Sequence, residues 1–217
     1  SKEKSLDIDN FNPWICKITH DNNLRDWFNI EVSRVDSKIG DKVFLLKSGV
    51  VNIIKGPSGA GKSTFLKTII ETLQAQEDWN CKLKEMTSYL PQDPITLLTT
   101  VQQNILMGKN DGDELLSQDL EEIGLNRKWI KSFDESISID KIIASGGEAQ
   151  RIALLRCLYS KEKKIFFLDE PTSALDPKFE DRVASLIEAV ARKGNFVIVV
   201  SHTELNIDKN YSREIYI

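Results

Sequence analysis

The nine residues Gly56-Pro57-Ser58-Gly59-Ala60-Gly61-Lys62-Ser63-Thr64 constrain this chain more than any other stretch. They match G-x-x-x-x-G-K-S, a phosphate-binding loop, provided that a strand precedes them and a helix follows. Both flanks comply. Val50-Val51-Asn52-Ile53-Ile54-Lys55 is a short β-branched run that reads as a buried strand. From Thr64 to Gln74 the chain is rich in helix formers, with Phe65, Leu66, Ile69, Ile70 and Leu73 at helical spacing. Glycines let backbone N–H groups wrap around phosphates, and the helix N-terminus adds donors and a favourable dipole. In that arrangement Lys62 reaches the β- and γ-phosphates and the Ser63 hydroxyl binds Mg²⁺. The plainer reading, a glycine turn that only caps a helix, is disfavoured by the two flanks.

Length and composition set the frame. The 217 residues, 41% hydrophobic and 29% charged, suit one large globular domain or two small lobes with a real core. A net charge of −4 argues against a broad nucleic-acid-binding surface, so no nucleic acid is expected as a partner. Cys16, Cys81 and Cys157 are far apart and lack metal-type spacing, which fits small buried thiols in a reducing compartment. No apolar run approaches the ~18 residues that span a bilayer, and no signal peptide opens the sequence. Work at a membrane would therefore need another polypeptide or a further segment.

Residues 1 to about 12 are polar and read as a loose leader. Trp14 to Thr19 is a weak strand candidate. Phe28 to Val35 alternates as a half-exposed antiparallel strand should, and Lys42-Val43-Phe44-Leu45-Leu46 makes another before Lys47-Ser48-Gly49 turns the chain into the strand feeding the loop. After the first helix, Thr87 to Leu90 is a brief strand leading into the proline-bounded loop Pro91-Gln92-Asp93-Pro94. Residues 99 to 136 read as mostly helical: Thr99-Thr100 as a cap, Ile105 and Leu106 buried, a break over Gly108 to Gly112, and a segment from Leu115 to Ile123 stopped by Gly124. Trp129, Ile130 and Phe133 read as core of this lobe. A helix follows Ser145-Gly146-Gly147, then the apolar strand Ile165 to Leu168, an amphipathic helix from Phe179 to Ala191, and the buried strand Phe196 to Val200. Ile215 to Ile217 reads as an edge strand. Helices alternating with apolar strands predict an α/β fold with a largely parallel sheet.

Phosphoryl transfer needs a carboxylate at the end of a neighbouring strand to hold Mg²⁺, and Asp169 supplies one. Glu170 follows at once and is placed to take a proton from an attacking water. The bland alternative, a pair of carboxylates in a turn or cap, carries less weight once the phosphate loop lies upstream.

With these residues in place the chain resembles the ATP-binding cassette (ABC) family over about residues 28 to 217. Ser145-Gly146-Gly147-Glu148 with Gln150-Arg151 is similar to the family signature LSGGQ-x-QR, with Ala144 in place of Leu and Glu148 in place of Gln. Gln92 matches the Q-loop glutamine, Ser173-Ala174-Leu175-Asp176 the D-loop, and His202 the switch histidine. The resemblance implies a phosphate-loop (RecA-like) core with an N-terminal antiparallel β subdomain and an inserted α-helical subdomain. Residues 1–27 would be a leader or connector. Residues 28–92 and 151–217 would form β subdomain plus core, and 93–150 the helical subdomain with the signature. It also implies ATP and Mg²⁺, the metal held by Ser63, Gln92 and Asp169, with Lys62, Gln92, Glu170 and His202 in catalysis. Two copies would pair head to tail, so that Ser145, Gly146, Gly147 and Glu148 of one close on the nucleotide in the loop of the other, with Asp176 reading the partner's site. The family's adenine-stacking aromatic is missing, because Val35-Asp36-Ser37-Lys38 stands in its place; Arg34 is an alternative stacking group.

Two outputs fit such a cassette. In a transporter it would act with transmembrane domains, in cis or in trans, at the cytoplasmic face of a membrane. Leu90 to Pro94, followed by Thr100-Val101-Gln102-Gln103-Asn104-Ile105-Leu106-Met107-Gly108, is similar to the exporter pattern TI-x-x-NI-x-x-G. The alternative is a soluble ABC ATPase of DNA repair, chromosome organisation or translation, which usually carries a coiled coil or second cassette not seen in this sequence. The signature segment disfavours a phosphate-loop kinase or GTPase. A start at Ser1 fits either removal of an initiator Met or excision from a longer polypeptide, with excision modestly favoured.

Overall fold

The structure is a computed structural model describing residues 14–20, 28–34, 42–75, 85–95, 101–107, 114–125, 146–160, 162–173 and 175–217. Thr99, Thr100, Trp129, Ile130, Phe133, Ala144, Ser145 and the segment Val35–Lys38 lie outside the described residues.

Three strands, β1 (Trp14–His20), β2 (Phe28–Arg34) and β3 (Lys42–Leu46), form an antiparallel sheet in that order. Strand β1 lies within the stretch 1–27 read as a leader. All seven of its residues pair with β2, from Trp14 opposite Arg34 to His20 opposite Phe28. Alternation sorts its two faces: Ile30, Val32 and Leu46 are fully buried, while Ile15, Val43 and Leu45 stay exposed.

The second sheet has the order β5-β6-β7-β4-β8, built from β4 (Val51–Lys55), β5 (Thr87–Leu90), β6 (Ile165–Asp169), β7 (Phe196–Val200) and β8 (Ser212–Tyr216), and every pairing in it is parallel. Strands β6 and β7 are buried along their whole length, which explains their continuous apolar sequences. The last strand begins earlier than the hydrophobic pattern suggests, at Ser212. As an edge strand it buries only Ile215 well and leaves Glu214 and Tyr216 in solvent.

Helices cover both faces: α1 (Lys62–Ala75), α2 (Val101–Leu106), α3 (Glu114–Glu122), α4 (Gly146–Leu158) and α5 (Pro177–Arg192). The period-two pattern divides each central strand between two cores. Ile165, Phe167, Phe196, Ile198, Val200 and Ile54 pack with Phe65, Leu66, Ile69 and Leu73 of α1 and with the antiparallel sheet. Phe166, Leu168, Val197, Val199, Val51 and Ile53 pack with α2 to α5. A Phe44–Phe65 edge-to-face contact at 6.0 Å ties the small sheet to α1. Asn52, fully buried in β4, donates to Lys47 O at 2.7 Å and to Val197 O at 3.1 Å, which satisfies its amide and clips the preceding turn. Helix α5 starts earlier than its apolar stripe predicts, because Asp176 caps it and Pro177 takes its first turn. Burial pushes the thiol of the half-buried Cys16 up to about 11 and that of the buried Cys157 up to about 12, away from the range of a reactive thiolate.

Candidate active site

The site follows from strand parity. Asp169 continues the Ile165, Phe167 row and so emerges on the α1 side of the sheet, where the first turn of α1 begins. Its carboxylate is hydrogen-bonded by the Ser63 side chain. Burial pushes its pKa above the ordinary carboxylate value, with Glu170 adding in the same direction while Ser63, Lys62 and His202 oppose them.

The loop between β4 and α1 is shaped by its glycines. Gly59 and Gly61 have φ of 78° and 89°, a region closed to most L side chains. Ala60 N donates to Pro57 O at 3.2 Å and Phe65 N to Gly61 O at 2.8 Å, which joins the turn to the helix. Pro57, Ser58, Gly59, Ser63 and Thr64 are exposed, whereas Lys62 is 6% exposed. Its ammonium donates to Gly56 O and Pro57 O, each at 2.9 Å, so the cation is gathered into the loop rather than extended into solvent. Gly56 stands where an added Cβ would meet Ile217 O at 2.6 Å.

A second cluster forms at the end of β6. The two Glu170 carboxylate oxygens are each engaged: Gln92 Nε2 donates to Oε2 at 3.3 Å, and His202 Nε2 lies 3.1 Å from Oε1. The turns after β5, β6 and β7 thus meet on one carboxylate. Glu170 itself adopts φ 52°, and its N–H donates to Val200 O at 2.9 Å. The loop carrying His202 is fastened by hydroxyls. Ser201 Oγ donates to Thr203 O at 2.8 Å, and the Thr203 and Thr172 hydroxyls are 3.3 Å apart.

The donor set fits a divalent cation with phosphates. Asp169 Oδ1 is buried without a hydrogen-bond partner, a costly state for a carboxylate oxygen unless a cation completes it. Among the described residues no group of three His, Cys, Asp or Glu side chains could hold a metal. One hydroxyl and one carboxylate, with the rest supplied by phosphate and water, is a magnesium-type set rather than a zinc-type one.

Other sequence-predicted residues lie apart from this cluster. Gly146 is exposed at the start of α4, with Gly147 and Glu148 half-buried behind it. Asp176 is exposed, accepts from Lys178 N at 3.2 Å and pairs with Lys178 Nζ at 3.1 Å, and that backbone bond holds its pKa below the usual range. Sequence reasoning placed Gln150 in the signature match and Ser173 in the D-loop match without giving either side chain a role of its own, and it did not single out Thr172 or Thr203. Gln150 Nε2 donates to Glu170 O at 2.9 Å and to Ser173 Oγ at 3.2 Å. A motif match does not say which backbone group such an amide or hydroxyl will meet; that lies in what folding brings beside it.

Known proteins resemble this chain in sequence and in fold. The family model described as ABC transporter matches residues 41–173, more than half of the chain. The hemin import ATP-binding protein HmuV of Aliivibrio fischeri is 32% identical over 212 residues, covering 87% of this chain and 80% of that protein. The mating factor M secretion protein mam1 of Schizosaccharomyces pombe is 32% identical over 189 residues, but the chain spans only 14% of its length. Among solved structures, an ATP-bound bacterial Atm1-family ABC exporter superposes with a TM-score of 0.58 at 23% identity, over 78% of this chain and 33% of that one. The ATP-binding subunit of an ABC transporter gives 0.61 at 18% identity, over 85% of this chain and 82% of that one. At those identities the structures establish the fold, a phosphate-loop α/β core. With the family match and the hemin-import relative beside the Lys62, Asp169 and Glu170 geometry, the chain belongs to the ABC transporter family as an ATP-binding cassette ATPase.

Proposed function

We propose that this cassette hydrolyses ATP with Glu170 as general base and pairs head to tail with a second copy to drive an ABC transporter. The observation that carries the reading is the meeting of Gln92 and His202 on the two oxygens of Glu170, one residue beyond the buried Asp169. Lys62 and the loop N–H groups bind the β- and γ-phosphates. Ser63 and Asp169 would hold Mg²⁺, with Gln92 beside them, and the ion supplies neutralisation of phosphate charge. Glu170 takes the proton from the attacking water, and His202 hydrogen-bonds the γ-phosphate and helps orient that water. Gly146 and Gly147, at the exposed start of α4, meet the partner's nucleotide together with Ser145 and Glu148, and Asp176 faces the partner's site. Catalysis is then positioning and charge stabilisation.

Membrane coupling is supported by the surface around α2. Val101, Ile105 and Leu106 are buried, yet Ile95 and Met107 at its two flanks are 77% and 60% exposed. Exposed apolar side chains at these positions, Ile95 directly after the Gln92 loop and Met107 after α2, suit contact with transmembrane domains at the cytoplasmic face of a membrane. Among the described residues no helix is long and apolar enough to cross one. The exporter-like pattern of residues 90–108 favours export. Import is the second reading, favoured by the hemin-import relative.

Steady-state hydrolysis tests the base. Glu170→Gln should lower kcat by about 10³-fold, within the range of general-base loss, and leave the Kd for MgATP within a few-fold. Retained turnover would remove Glu170 from the role.

A further inference from the structure

Glu170 carries a backbone conformation that a glutamate adopts at a cost. Among the described non-glycine residues only Met107 shares its positive φ. Such a conformation persists where the surroundings over-determine it, and four contacts do so here. The Glu170 N–H donates to Val200 O at 2.9 Å. Its carbonyl oxygen accepts from Gln150 Nε2 at 2.9 Å, from Ser173 Oγ at 3.1 Å and from Ser173 N at 3.2 Å. Gln150 is 2% exposed and also donates to Ser173 Oγ at 3.2 Å, closing a triangle of side chain, hydroxyl and carbonyl. Of these donors only Gln150 comes from outside β6 and the turn that follows it. It lies on α4, four residues and about one helical turn from the exposed Gly146.

We propose that Gln150 is a positioning residue through which α4 sets the Glu170 carboxylate. It holds the Glu170 carbonyl in the left-handed turn that directs the side chain to Gln92 and His202. A rigid helix joins Gly146 to Gln150, so movement at the helix start reaches the base of the same chain. In a head-to-tail pair the Gly146-Gly147 end answers to the nucleotide in the partner's loop, whereas Glu170 serves the nucleotide in its own. Gln150 therefore links the two sites through one amide. This rests on Glu170 being the base. Gln150 acts through the Glu170 backbone rather than on the reacting atoms.

The test uses Gln150→Met, which keeps length and burial but removes both donors, and Gln150→Asn, which keeps the amide and withdraws it by one methylene. Glu170→Gln runs beside them, all in the full chain. Each is measured for MgATP hydrolysis, for binding of a fluorescent ATP analogue and for Tm. Both Gln150 variants should lose about 10- to 100-fold in kcat, as a misplaced catalytic group does, with Kd within twofold and Tm within a few degrees. Unchanged kcat in either folded variant would overturn the proposal. So would kcat and nucleotide affinity falling in proportion with a large drop in Tm, the mark of a merely structural residue. Glu170→Gln separates the two failures. If it keeps turnover, the base assignment falls and this inference with it; if it loses turnover while the Gln150 variants keep theirs, only the inference falls.

Discussion

Two turns leave the carboxyl ends of β4 and β6, flank the Ser63 and Asp169 side chains that meet between them, and keep their shapes by opposite means. After β4 the bend is local. Gly59 and Gly61 supply the positive φ values, and nothing lies within 4 Å of where a Gly59 side chain would begin. After β6 a glutamate takes a positive φ because Gln150, Ser173 and Val200 hold it there. The phosphate-binding turn is thus made by residues adjacent in sequence, while the Glu170 backbone is held by partners up to 30 positions away. On the proposed reading, such a site should bind nucleotide through its local turn and hydrolyse it only when the packing around β6 is complete.

The largest effect should come at the β4 turn. Lys62→Ala removes the cation that now bonds Gly56 O and Pro57 O. Glycines make the turn, so Tm should move by only a few degrees, yet MgATP affinity should fall about 10²- to 10³-fold in a fluorescence titration. A large Tm loss with modest affinity loss would break the contrast.

Next in size is Asp169→Asn. Burial holds the folded-state pKa of Asp169 above its unfolded value. The folded chain therefore favours the protonated form, and the ionised carboxylate costs stability at every pH above that raised pKa, while below the unfolded value the cost vanishes. At pH 7, without nucleotide or metal, Asp169→Asn should raise Tm by roughly 2 °C or more while ending Mg²⁺-dependent hydrolysis. The Tm difference should shrink as the pH is lowered into the carboxylate range. A lower Tm for the variant at pH 7 would contradict the reading of Asp169 Oδ1 as an orphaned oxygen.

The smallest pair compares the turns directly. Gly59→Ala meets open space and should cost about 1 kcal/mol through its φ alone. Glu170→Asn places a residue tolerant of left-handed backbone at φ 52° and should gain about 0.5 kcal/mol in chemical denaturation, with hydrolysis lost. If both substitutions shift stability in the same direction, the two turns do not differ as described.

The same contrast explains what could be read in advance. Strands β4, β6 and β7, the loop glycines and the order of Asp169 and Glu170 were legible because each is written in adjacent residues: a β-branched run, a glycine spacing, a carboxylate after four apolar side chains. Strand β1 was faint, because a partly exposed strand with two lysine or histidine positions is defined by its pairing with β2 rather than by composition. The start of β8 was missed since only Ile215 is well buried and β4 supplies the rest through its hydrogen bonds. Gln92 and His202 were named through family motifs, but their meeting on Glu170 joins residues 78 and 32 positions apart. Gln150 was named within the signature match, but its bond to Glu170 O was invisible for the same reason, as no local pattern tells which carbonyl 20 residues onward its amide will find.

The pairing of two cassettes around ATP is tested most directly by the mass of Glu170→Gln in solution, measured by light scattering with and without MgATP. A variant that binds nucleotide but hydrolyses it slowly should trap the pair, so the account predicts a single-chain mass without nucleotide and twice that mass with it. A mass that stays at one chain under saturating MgATP, in a variant shown to bind the nucleotide, would contradict the head-to-tail mechanism.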